Sequence, residues 1–102
     1  MIKLGNNEMY VLSALLHGEQ YGLEIVETIR ENVKTKVSMG SLYPTLYRLE
    51  KKELVESRWG EATEVRAGAR RRYYKMTGLG ERVLKENQAA LQQLWSLTPQ
   101  GV

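Results

Sequence analysis

Residues 41–52 read SLYPTLYRLEKK. Leu42, Leu46 and Leu49 recur at i, i+4 and i+7, the apolar stripe of an amphipathic helix. Pro44 interrupts that stripe, where a proline removes a backbone donor and crowds the preceding turn. The first N–H groups of a helix have no internal acceptor, so a proline costs least close to a helix start. Ser41 is therefore the expected cap; a start at Ser38 would set Pro44 deeper and distort the first turn. With the leucines turned inward, Ser41, Pro44, Thr45, Arg48 and Lys52 form the expected outward face, free of acids until Glu53. Tyr43 and Tyr47 flank the stripe, each with an apolar ring and a polar tip.

Upstream, two further helices are expected. The first covers residues 9–16, capped by Asn6 or Asn7, with Met9, Leu12, Leu15 and Leu16 buried. Gly18 closes it in the left-handed conformation, and His17 is a residue of the helix end. The second covers residues 21–34, with Gly22, Ile25, Val26, Ile29 and Val33 on one face and Glu24, Glu27 and Glu31 away from it. Gly22 in its first turn points to a close approach by a neighbouring element. The segment TKVS, residues 35–38, links this helix to the third.

Downstream the apolar period changes from 3.6 to 2. Val55, Ser57 and Trp59 alternate with Leu54, Glu56 and Arg58, and RRRYYKM, residues 70–76, gives a second strand after a long loop over 60–69. On that strand Arg71 shares a face with Tyr73, and Arg72 with Tyr74. Thr77 caps a last helix that reaches about Leu97, before Pro99 and Gly101. Leu84, Asn87, Leu91 and Leu94 follow a 3-4-3 spacing, the start of a coiled-coil seam in which the Asn would fix register.

Composition narrows the function. A chain of 102 residues is one small domain with a terminal extension, and self-association would hide more of its apolar surface. There is no Cys and no Asp, and His17 is the only histidine. Disulfides, a Ser-His-Asp triad, a multi-histidine zinc site and an EF-hand loop all lack essential parts. No glutamate lies in an apolar run that would raise its pKa, so no enzymatic chemistry, metal or cofactor is expected. No stretch approaches the roughly 18 apolar residues of a membrane span, and the N-terminus has no leader pattern, so a cytoplasmic chain is expected. Net charge is +3, unevenly placed: residues 66–75 carry Arg66, Arg70, Arg71, Arg72 and Lys75 with no acid, while residues 19–31 carry four glutamates against Arg30. Such polarity suits an anionic partner.

Helix, helix, helix, basic hairpin, long helix is the order of a winged helix-turn-helix, mainly α with a two-stranded β wing. Residues 1–77 form the expected DNA-binding domain, and residues 78–102 a C-terminal dimerisation helix and tail. In that architecture the third helix enters the major groove and the hairpin reaches the backbone or minor groove of double-stranded DNA. The expected contacts are Lys36, Ser38, Ser41, Tyr43, Thr45, Arg48 and Lys52 around the helix, and Arg66, Arg70, Arg71 and Arg72 in the wing. The expected seam between two copies holds Val83, Leu84, Asn87, Leu91, Leu94 and Trp95, helped by the first helix.

EQYGLEIVETI, SLYPTLYRLEKKELVES and RRRYYKMTGLGERVL together resemble the PadR family of bacterial transcriptional regulators, over about residues 8–84. The resemblance implies a homodimeric repressor on a palindromic operator, released in some members by phenolic acids or hydrophobic drugs. Larger members carry a multi-helix C-terminal domain; this chain has room for one helix and resembles the short subfamily. Trp95 is the candidate residue for stacking on an aromatic effector between subunits. Two rivals remain: a winged-helix protein-interaction module without specific DNA binding, and a dimeric small-molecule sensor.

Overall fold

The computed structural model describes residues 2–33, 35, 37–61 and 70–97. Its elements run α1 (Asn6–Ala14), a 3-10 turn (Leu15–His17), β1 (Gln20–Tyr21), α2 (Gly22–Val33), α3 (Met39–Lys51), β2 (Val55–Trp59), β3 (Arg72–Met76) and α4 (Gly78–Trp95). The sheet is antiparallel in the order β1-β3-β2, so the wing is three-stranded rather than two-stranded. The extra strand pairs Gln20 with Tyr74 and Tyr21 with Tyr73, tying the start of α2 to the wing.

Helix α1 begins earlier than expected, because Glu8 turns back and accepts the Gly5 N–H at 2.8 Å. Neither Asn6 nor Asn7 is its cap. The tighter 3-10 turn that ends it leaves Leu15 buried and rotates Leu16 into solvent. Gly18 has φ +113° with extended ψ, a glycine conformation but not the left-handed helical one. In α2, Ile25 and Ile29 are buried, Val33 is exposed, and the Tyr43 hydroxyl lies across Gly22, the close approach that the glycine permits.

Helix α3 overturns the expected cap. Ser38 stands at the N-cap, and its hydroxyl accepts the Ser41 N–H at 3.2 Å. Pro44 is consequently the sixth helical residue, and the bond from position 44 to the Gly40 carbonyl is lost. Side chains tie these turns instead: Ser41 Oγ donates to the Ser38 carbonyl at 3.1 Å, and Thr45 Oγ1 to the Ser41 carbonyl at 2.8 Å. The C-terminus closes with Glu53 N–H on the Glu50 carbonyl and Leu54 N–H on the Leu49 carbonyl, the paired bonds of a Schellman turn. Glu53 takes the left-handed position at φ 62°, where glycine is usual.

That turn is stitched to α4. Thr77 Oγ1 donates to the Glu53 carbonyl at 2.7 Å, and Thr77 N–H to the Leu54 carbonyl at 3.0 Å. The Thr77 hydroxyl also accepts the Gly80 N–H at 2.9 Å, capping α4 as the sequence suggests. A single core joins Leu12, Ile25, Ile29, Leu42, Leu46, Leu49 and Leu54 to Val83 and Leu84 of α4. Each such buried side chain contributes roughly 1.5–3 kcal/mol. Among the described residues no helix is long and apolar enough to cross a membrane.

Candidate nucleic-acid interface

The inward face of α3 is Leu42, Thr45, Leu46 and Leu49. At 3.6 residues per turn, the positions opposite are Gly40, Pro44, Tyr47 and Lys51, and all four are exposed. The outward axis thus lies about a quarter-turn from the face expected from sequence. Tyr47 is 61% exposed, with the Lys51 ammonium 5.5 Å from its ring centroid. This tyrosine and lysine are central to the face, and the sequence reading left them out of the contact set.

Thr45 is a correction. It is buried at 1% exposure, and its hydroxyl is occupied by the Ser41 carbonyl and by Arg48 Nη2 at 3.2 Å. It aims Arg48 and does not itself reach outward. Lys52 is exposed and has a partner within the chain: its ammonium lies 2.9 Å from Glu8 Oε2, bracing α3 against α1. Ser38 is exposed and Ser41 half-buried, their hydroxyls engaged with each other and with the helix start. Tyr43 and Arg48 are exposed on opposite flanks of the outward stripe. Lys36 and Arg66 lie outside the described residues.

Glu8 is therefore a structural acid. Burial pushes its carboxyl upward, but the Gly5 N–H, the Lys52 ammonium and the more distant Arg48 outweigh that and hold it below the ordinary carboxylate value. A carboxyl with a lowered folded-state pKa stabilises fully above its unfolded pKa, and loses that contribution as pH falls through the folded value. Glu8→Gln keeps an acceptor for Gly5 and removes the charge. It should cost about 1 kcal/mol at neutral pH, given the half-exposed lysine. Urea melts at pH 7 and pH 3 should show the gap to wild type closing in acid; an equal gap at both would rule out the ion pair as its origin.

In the wing the three arginines divide as the strand alternation requires. Arg72 faces the helices: its Nε and Nη2 donate to Ser57 Oγ at 3.1 and 2.8 Å, and Ser57 Oγ donates to Glu50 Oε2 at 2.6 Å. This buckle joins the last turn of α3 to β2 and β3, so Arg72 positions the wing instead of projecting from it. Arg71 turns to the other face, its guanidinium 4.4 Å from the Tyr21 ring centroid. There Tyr21 meets Tyr73 edge-on at 5.7 Å, and Arg58 covers Tyr73 at 4.8 Å while bonding both oxygens of Glu19 at 2.7 and 3.0 Å. That bond holds the Glu19 carboxyl below its ordinary pKa. Arg70 is exposed where β3 meets the wing loop.

The expected seam also divides. Val83 and Leu84 are core residues, and Asn87 is buried at 6% exposure. Its amide accepts the Leu4 N–H at 3.0 Å and donates at 2.8 Å to both the Ile2 and Val83 carbonyls, clamping the N-terminal segment onto α4. These three side chains are spent within the chain. Leu91, Leu94 and Trp95 are exposed on the part of α4 beyond the core, and Leu97 in the turn that follows it.

Comparison with known proteins agrees with this architecture. A protein of Lysinibacillus sphaericus called uncharacterized protein X is 34% identical over 84 residues, which span 80% of this chain and 74% of that one. A PadR family transcription regulator from Clostridium difficile R20291 superposes with a TM-score of 0.78 at 28% identity, covering 91% of this chain and 94% of its own. A transcriptional regulator from Clostridium thermocellum gives 0.77 at 29% identity, covering 89% and 84%. The sequence pattern of the transcriptional regulator PadR-like family matches residues 11–86, most of the winged helix and the inner half of α4. The chain belongs to the PadR-like family of transcriptional regulators.

Proposed function

We propose that the protein is a homodimeric repressor that reads a palindromic operator through α3. The observation that carries the reading is the exposed, acid-free stripe Gly40, Pro44, Tyr47 and Lys51, flanked by Tyr43 and Arg48. Gly40 and Pro44 keep the leading end of the helix slim enough for a groove floor. Lys51 sits further along, where a helix lying in the major groove passes the phosphates. Arg48, steered by Thr45, is the candidate for a base edge. The wing carries Arg70 and Arg71 toward the backbone. Leu91, Leu94 and Trp95 supply the contact between copies, and Trp95, 72% exposed, is the candidate platform for an aromatic effector that releases DNA.

Selection from a random duplex pool, followed by footprinting, tests the reading. A specific site should emerge, with two half-sites about one helical turn apart and affinity falling steeply with salt. Lys51→Ala should weaken all duplexes alike and reduce the salt slope by about 1, because a phosphate contact carries no sequence information. Recovery of no preferred sequence would leave the protein-interaction module as the better account.

A further inference from the structure

In B-form DNA a major groove and the adjoining minor groove are separated by one sugar–phosphate strand. A protein that sets a helix in the first and a hairpin tip toward the second must face that strand with whatever lies between helix and hairpin. In this chain the space between α3 and the wing is an open cleft of about 480 Å³. Met39 and Tyr43 border it on the helical side, and Trp59, Arg70, Arg71 and Arg72 on the sheet side. No acidic side chain lines it among the described residues.

We propose that this cleft seats the intervening strand, with Trp59 as the platform for a deoxyribose and Arg70 and Arg71 as phosphate ligands. The proposal rests on the DNA-binding reading, and it adds a contact, Trp59, that the charge and helix patterns did not mark. A sugar–phosphate strand offers two alternating chemistries. The phosphodiester is an acceptor-only anion that wants N–H donors, and the sugar presents C–H edges that pack on an aromatic face. Residues of both kinds line the cleft, Trp59 from the inner face of the sheet and Arg71 from beside Tyr21.

Trp59 closes β2 opposite Arg72 and is 57% exposed, whereas Val55 and Tyr74 on the same sheet face are buried. An aromatic ring of that size left in the open on a strand contributes little to the core. The ring has a charged partner nonetheless. The Arg72 guanidinium lies 5.2 Å from the ring centroid and is itself held by Ser57 and Glu50. A ring with a partner already in place loses less freedom on binding. Arg71 is prepared in the same way on the Tyr21 ring. A guanidinium over a ring keeps its N–H groups in its own plane; Arg71 gives one to the Tyr73 hydroxyl, and the others remain for an anion. Tyr43 completes the opposite wall, its ring 47% exposed and its hydroxyl end resting over Gly22.

The two tryptophans allow a direct test. Protein labelled with 5-fluorotryptophan should give two fluorine resonances, assigned with Trp59→Phe. On addition of a duplex recovered from the random pool, the Trp59 resonance should shift and lose its solvent isotope effect. Trp59→Ala should bind that duplex about tenfold more weakly with an unchanged salt slope, because the ring carries no charge. Trp59→Phe should recover most of the affinity, and Arg71→Ala should lower the slope by about 1. Thermal melting of each variant separates these effects from unfolding. A duplex held at full affinity with the Trp59 resonance unmoved would overturn the cleft assignment and leave the DNA reading standing. A chain that retains no duplex would remove both.

Discussion

Gly80→Ala should destabilise the fold by roughly 3 kcal/mol or more, although alanine is the better helix former by about 1 kcal/mol. A methyl group at position 80 would overlap the Leu54 carbonyl oxygen, and it would lie 3.0 Å from that carbonyl's carbon and 2.9 Å from Met76 Cγ. Met76 is flexible and can give way; the carbonyl cannot. It accepts the Thr77 N–H, and it follows directly on Glu53, which is already held in a left-handed conformation to close α3. Relief would require opening the Schellman turn or lifting α4 from the sheet. Gly78 is the control, two residues away in the same first turn, because a Cβ there meets nothing within 4 Å. Gly78→Ala should leave stability unchanged or raise it by about 0.5–1 kcal/mol. For a domain of this size the Gly80 change amounts to a fall in Tm of more than about 10 °C. Calorimetry showing both variants within a few degrees of wild type would mean that α4 does not sit this close to the α3 turn.

The junction that makes Gly80 critical could not be read from the sequence, whereas the elements on either side of it could. Three leucines at helical spacing, a basic alternating hairpin and a threonine cap specify the order of a winged helix, since each rests on local periodicity or local chemistry. Errors arose where a residue's partner is distant or where a letter misleads. Thr45 reads as polar, yet its methyl can be buried once the helix's own Ser41 carbonyl takes its hydroxyl. Counting around the helix from Leu42, Leu46 and Leu49 would have found Gly40, Pro44, Tyr47 and Lys51 without a structure. The pairing of Lys52 with Glu8, 44 residues apart, has no such local signal. Strand β1 is two residues long, too short for any alternation to register. Asn87 shows the ambiguity of a seam pattern: the 3-4-3 spacing gives a buried stripe but not whether the chain itself or a second copy buries it. Here the chain's own residues 2–4 take the Asn87 amide, and the stripe is left uncovered only beyond it.

That uncovered end makes the largest functional prediction. Residues 88–97 are exposed throughout, yet Leu91, Leu94 and Trp95 keep the i, i+3, i+4 spacing of a buried face. Eight residues of helix, 88–95, without a partner are marginal in water, so the apolar stripe favours cover. In the proposed homodimer a second copy supplies it with its own identical stripe, as in any two-fold interface. Leu94→Glu would then introduce two carboxylates at once, close to each other and to the axis, each losing water without gaining a cation. The variant should sediment as an 11.7 kDa monomer at micromolar concentration. Its affinity for a two-half-site duplex should fall by about 100-fold or more, because the second half-site no longer binds as an intramolecular event. On a duplex with one half-site, affinity should stay within about threefold of wild type, since α3 and the wing lie in the untouched core of the chain. The contrast between the two duplexes isolates dimerisation from misfolding, which would weaken both. A variant that remains a dimer and binds the full site as wild type does would place the contact between copies elsewhere on the surface, with Leu16 and the outer face of α1 the next region to change.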